Sequence, residues 1–302
     1  MRRPIGSEGF TWIEVVVILV VLGFVFVILS PGYRRERRTS LMVACHDQLS
    51  NIGKAMLVYA NDYEDKLPRA GGPNTEWAPT IPNWRATTRR DAFGLASDGT
   101  GGQASVSASL YLLVKYAQVT PKSFVCKGDV GTTEFTLYDQ ASIPSGTELI
   151  DAWDFGPLEE SSKHCSYAYH MPYGPFALTI SNRPGMAVAA DRNPWIDSPS
   201  GQGADFSRFK PDIAPFNGAS HQARRGNAMT HQLDGQNVVF LDTHVEFAKH
   251  AYCALDDDNI YTISTSPTAG DPLGTPPKLG SQPSSRKDSL LVNDPRPLAG
   301  QK

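Results

Sequence analysis

The chain has 302 residues, a net charge of −3 and a pI near 6.2, enough length for one sizeable core or two small ones. That balance excludes a global basic field of the kind that holds nucleic acid, so no nucleic-acid partner is expected. The 26 glycines and 23 prolines point to a loop-rich body, and four cysteines without a Cys-x-x-Cys pair exclude a zinc ribbon.

The first segment concentrates the hydrophobicity. After Arg2 and Arg3 comes an apolar run, Phe10 to Leu29, interrupted by one acid, Glu14. As a helix it would reach about 30 Å, the thickness of a bilayer core. Ser30-Pro31-Gly32-Tyr33 and the arginines that follow make a poor small-x-small cleavage site, so the segment is expected to stay in the protein. Two arginines precede the run and four follow it, a distribution that by itself would leave the body in the cytoplasm. A carboxylate at bilayer depth costs roughly 2.5–3.5 kcal/mol, so Glu14 either sits at headgroup level or has a partner.

Gly9-Phe10-Thr11-Trp12-Ile13-Glu14-Val15, between a short basic leader and an apolar helix, resembles the type III signal of type IV prepilins, with Trp12 where Leu is commoner. The resemblance implies cleavage by a prepilin peptidase after Gly9 and N-methylation of Phe10. It also implies a role in assembly for Glu14, which would pair with the N-terminal amine of a neighbouring subunit.

Pro31-Gly32 is expected to break the helix at the end of the span. Beyond it Met42, Cys45, Leu49, Ile52, Met56, Tyr59 and Tyr63 are spaced 3, 4, 3, 4, 3, 4, the stripe of an amphipathic helix. Its opposite face carries His46, Asp47, Asn51, Lys54 and Asp62, and Leu67-Pro68 ends it. The arginines at 34–38 read as a solvated collar. Residues 69–103, rich in Gly, Pro, Thr and Asp, read as an extended loop, and 104–117 as a short helix. Strand-like stretches follow at 123–126, 166–170 and 186–190. Asn237 to Ala248 reads as two strands about a tight turn at Asp242-Thr243, where threonine disfavours type I′. Residues 264–302, dense in Pro, Gly and Ser, read as a tail that is flexible or covers the head loosely.

The run from His231 through Asp242-Thr243-His244-Val resembles the C-terminal His-x9-Asp-Gly signature of a pilin-like family abundant in planctomycete-type bacteria. Here ten residues separate His231 from Asp242, and Thr243 replaces the glycine. Cys45, Tyr59 to Pro68, Phe124-x-Cys126, Ser166-Tyr167-Ala168 and Asp258 to Thr262 match other features of that family.

The resulting expectation is an α+β, pilin-like fold: a long N-terminal helix over about 10–63, broken near Pro31, packed on a small antiparallel sheet with long loops. Its parts would be a leader (1–9), a transmembrane or filament-core helix (10–31), an amphipathic helix (32–67), a globular head (68–263) and the tail (264–302). An even cysteine count in an exported chain suggests up to two disulfides among Cys45, Cys126, Cys165 and Cys253, in any of three connectivities, against four buried thiols. Asp191, His221, His231, His244 and Asp242 offer metal ligands, yet their separations are irregular. No metal or other cofactor is expected, with calcium the first choice if one binds. Asp256-Asp257-Asp258 reads as a surface acidic run, ahead of the alternative of part of a calcium loop. Nucleophile elbow, P-loop and dinucleotide fingerprint are all missing from the sequence, so no catalysis is expected.

Two functions fit. The first is a pilin or pseudopilin that sits in the inner membrane as a single-pass protein before assembly, then enters an extracellular or periplasmic filament. Its partners would be copies of itself or other pilins, the prepilin peptidase and an inner-membrane assembly platform. The second is a membrane-anchored extracytoplasmic binding protein or enzyme with a borrowed anchor.

Overall fold

A computed structural model describes residues 11–140, 143–196, 203–214, 216–266 and 268–296; the side chains of 27–39, 139 and 158–159 also fall outside the description. The chain divides between Leu41 and Met42 into two compact units.

Helix α1, Trp12–Asp62, contributes to both. Its first turn is held by a reciprocal cap. The backbone N–H and hydroxyl of Thr11 both donate to Glu14 Oε2 at 2.7 Å, and the Glu14 N–H reaches the Thr11 hydroxyl at 3.4 Å. Thr-x-x-Glu is the capping-box pattern, which satisfies donors that a first turn leaves open. In the first unit every side chain from Trp12 to Phe26 is exposed.

In the second unit the 42–62 stretch buries Cys45, Leu49, Ile52, Met56 and Tyr59, the core of the expected stripe. Gly53 sits on the same face. A Cβ there would come within 2.7 Å of Val239 Cγ2, so the glycine lets the helix backbone approach the sheet. The helix stops at Asp62, short of Leu67-Pro68, because Glu64 and Asp65 take positive φ (54° and 61°). The Asp65 N–H then turns back to the Ala60 carbonyl at 3.0 Å.

After α1 come β1 (Glu76–Trp77), α2 (Arg89–Phe93), β2 (Gln103–Ala104) and α3 (Val106–Ala117); β1 and β2 pair in parallel. Then follow β3 (Tyr167–His170), β4 (Ala187–Asp191), α4 (His221–Arg224), β5 (Gln236–Phe240), β6 (Val245–Ala248) and β7 (Leu291–Val292). The last five strands form one antiparallel sheet ordered β6-β5-β4-β3-β7. Both faces are covered. Tyr167, Tyr169, Val188 and Val239 join the core that contains α1 and α3, while Ala168, Ala190, Val238 and Phe240 join a second core with Trp195, Phe209, Tyr252 and Tyr261. Period-two alternation along β3 and β5 sends successive side chains to opposite cores.

The expected architecture is corrected. The helix starts at Trp12 rather than near residue 10, and Pro31 does not end it. The apolar part with described side chains is only the fifteen residues from Trp12 to Phe26, and the boundary at Leu41 keeps it out of the head's unit. A single long N-terminal spine packed on a small sheet is therefore not the organisation; what packs on the sheet is the 42–62 stretch. Among the described residues no helix is long and apolar enough to cross a membrane.

Three local expectations also change. Residues 121–124 form a 3-10 turn, not a strand, beginning at Pro121, whose fixed φ suits a first helical position. The loop over 69–103 carries β1, α2 and β2. The C-terminal tail is docked: Leu290, Leu291, Val292, Asn293 and Asp294 are buried, and β7 pairs with β3. Asp294 accepts from Val106 N–H (3.0 Å), Ser107 N–H (2.7 Å) and Trp77 Nε1–H (2.9 Å), so it caps α3 together with Ser105.

Candidate functional site

The sequence points to two regions. Of the first, Gly9 and Phe10 lie outside the described residues, and Pro31 lies within α1 with its side chain undescribed. Glu14 is described: it is the sole acid among exposed apolar side chains from Trp12 to Phe26, and its carboxylate is engaged by Thr11. Spacing alone showed the acid, and the cap formed with Thr11 was missed although Thr-x-x-Glu was its signal.

The second region lies where α1, β4 and β5 meet. Cys45 on α1 and Cys126, just after the 3-10 turn, form a disulfide with Cα atoms 5.4 Å apart across a sequence separation of 81. Asp191 ends β4. One of its oxygens, Oδ2, accepts from the Asn237 N–H at 2.7 Å and lies 3.2 Å from His231 Nε2. The amide of Asn237 lies 3.3 Å from the same imidazole nitrogen and 3.4 Å from the Met42 carbonyl, so β5 holds the histidine in place while bonding to α1. His231 closes a 3-10 turn whose exit is made by positive φ at Gln232 and Leu233. Burial presses its imidazole pKa down, but the hydrogen bond and charge of Asp191 outweigh burial and hold it above the usual histidine value. Donor atoms of Cys45, Cys126, Asp191 and His231 all lie within 4.8 Å of one another, and all four residues are buried.

The other candidates go elsewhere. Asp242 pairs with His244 on the surface, Oδ1 to Nδ1 at 2.5 Å, and the His244 ring stacks on Phe240 at 4.5 Å. Thus the histidine and the aspartate of the C-terminal resemblance serve different places: His231 fixes the buried junction and Asp242 shapes the hairpin. In that hairpin the Thr243 N–H donates to the Phe240 carbonyl (2.8 Å) and Phe240 N–H to His244 O (3.0 Å). Thr243 adopts φ +70°, the left-handed position of a three-residue loop, so the expectation against type I′ holds. His221 opens α4 on the surface. Cys165 and Cys253 remain thiols, so one disulfide forms, not two. Burial pushes the Cys165 thiol up to about 12, which makes it a packing residue and a poor nucleophile.

The expected surface run also divides. Asp256 and Asp257 are exposed, but Asp258 is buried, accepting from Asp271 N–H (3.2 Å) and Ser289 N–H (3.0 Å). Burial, aided by Asp288, pushes its carboxyl to about 7. Asp154, buried against Ser105 (2.5 Å), is likewise raised to about 7, by burial first and the nearby Asp294 charge second. Spacing did not reveal either group, because each is made by chain segments far apart in sequence.

Comparisons with protein families, curated proteins and solved structures find no match to this chain.

Proposed function

We propose that the chain is a structural subunit of a type IV pilus or type II secretion-like filament, cleaved after Gly9, N-methylated at Phe10 and polymerised through its N-terminal helix. The observation that carries the reading is the apolar surface from Trp12 to Phe26, exposed on every side and interrupted only by Glu14. Such a surface exceeds what a folded monomer leaves in water and calls for lipid before assembly and neighbouring helices after it. The leader and Gly-Phe-Thr-Trp-Ile-Glu supply the processing half of the argument from sequence.

The capping role of Glu14 gives this proposal a sharp test. Glu14→Gln keeps a side-chain oxygen for Thr11 and removes the charge, whereas Glu14→Val removes both. If the acid neutralises a neighbouring N-terminal amine, both variants insert in the membrane and both fail to assemble. Normal filaments from Glu14→Gln would show that only the cap matters. Mass spectrometry of the protein from native membranes provides the first check. A methylated Phe10 terminus is expected, and retained Met1-Arg2-Arg3 refutes processing.

A further inference from the structure

We propose that the Cys45–Cys126 position has two alternative states: the disulfide, and, in the reduced chain, a closed four-ligand zinc site made by Cys45, Cys126, Asp191 and His231. This inference stands apart from the filament reading and uses only the buried junction.

Two thiolates, one imidazole and one carboxylate form a donor set that suits zinc, whose tetrahedral structural sites take Cys, His and Asp ligands at about 2.0–2.3 Å. At those bond lengths ligand atoms sit about 3.3–3.8 Å from one another. The four donor atoms already lie within 4.8 Å, so closure on a metal needs side-chain adjustment rather than movement of strands.

An independent observation points to a ligand. Asp191 is fully buried; its Oδ2 is occupied by Asn237, while its Oδ1 has no hydrogen-bond donor. A buried carboxylate oxygen without a donor is costly. A cation held by the two sulfurs and the imidazole would satisfy it. Asn237 would then act as the outer-shell residue that orients Asp191 through its backbone N–H, as outer-shell groups do at metal centres.

The exchange balances. A dithiol reductant gives two electrons and two protons to the Cys45–Cys126 bond and becomes a disulfide itself, leaving two thiols. Zinc(II) then displaces both thiol protons and forms two Zn–S bonds. In the reverse direction, a disulfide oxidant takes two electrons from the thiolates, the sulfurs rejoin, and the metal is released. A chain made in a reducing compartment would thus hold its junction with metal, and one matured in an oxidising compartment would hold it covalently.

The test uses the full chain in detergent, kept reduced by a phosphine from lysis onward, with cobalt(II) as the spectroscopic probe and zinc(II) as competitor. The expected result is one cobalt per chain with thiolate charge-transfer and tetrahedral ligand-field bands, both erased by stoichiometric zinc. The oxidised chain should give neither. Asp191→Asn and His231→Gln should each weaken cobalt binding at least about tenfold. Cys165→Ala/Cys253→Ala should leave it unchanged. Circular dichroism of each variant in the oxidised state establishes that it folds before reduction. Absence of charge transfer overturns the proposal, as do bands that persist in Cys45→Ala/Cys126→Ala or remain at full strength in both Asp191→Asn and His231→Gln. A reduced chain that stays unfolded with cobalt present overturns it equally.

Discussion

Removing the disulfide should cost the head much of its stability. The Cys45–Cys126 bond closes a loop of 81 residues. The chain-entropy relation gives a denatured-state restriction of about 15 cal/mol/K for that loop, or about 4.5 kcal/mol at 25 °C. Cys45→Ala/Cys126→Ala also deletes two fully buried sulfurs, which adds about 1 kcal/mol of lost packing. The double variant is therefore expected to lose about 4–6 kcal/mol relative to the oxidised parent. At the entropy of unfolding usual for a domain of this size, that lowers Tm by roughly 7–11 °C. The assay is urea unfolding at constant detergent, followed by tryptophan fluorescence, with chelator present so that only the covalent state is compared. Thiol titration of the denatured parent should find two free thiols, Cys165 and Cys253, and four after reduction. A loss below about 1 kcal/mol would refute the argument, since it would mean that the loop is already restricted in the denatured chain.

Three further outcomes follow from named contacts. Asp154 and Asp258, both raised to about 7, keep protons in the folded state that the unfolded chain gives up near 4, so each carboxyl makes stability fall as pH rises through that window. The slope is about 1.4 kcal/mol per pH unit for each group, and Asp154→Asn should remove its share; urea midpoints measured from pH 4 to 8 that are flat, or that rise, would contradict the burial argument. Gly53→Ala should destabilise by about 1–3 kcal/mol, because its Cβ would meet Val239 Cγ2 at 2.7 Å and Val239 is buried and branched; an unchanged urea midpoint would show that helix and sheet part freely there. Thr243→Gly should stabilise by about 1 kcal/mol, because Thr243 holds φ +70° in the hairpin loop, and a loss of stability in the same assay would show that the threonine side chain contributes more than its strain removes.

What the sequence revealed follows from the range of each signal. The stripe Cys45-Leu49-Ile52-Met56-Tyr59 has the helical period and is buried. The hairpin at 237–248 has alternation and a turn, and it appears as β5 and β6. Strands at 166–170 and 186–190 match β3 and β4 within a residue or so. The candidate site was half visible. His231 and Asp191 were both singled out, but their pairing depends on Asn237, which became visible only when β4 and β5 were set side by side. Cysteine pairing had the same difficulty, since three connectivities were open and the partners stand at a sequence separation of 81. β7 is two residues long, too short for any period, and it lies in a stretch whose Pro and Gly content suggested disorder. Pro31 misled because local propensity argued for a break that α1 does not make.

The capping of α3 by Asp294 has a bearing on how the chain is made. The carboxylate that receives the Val106 N–H is synthesised 188 residues after it, and the edge strand beside β3 arrives only with Leu291. Until Leu291 and Asp294 have been synthesised, the helix start lacks its cap and one sheet edge stays open, while the apolar segment from Trp12 to Phe26 emerged long before. The order of synthesis therefore exposes the apolar segment from Trp12 to Phe26 well before the body can close. A chain cut short before residue 291 would carry an uncovered edge, the kind of defect that proteases and chaperones recognise.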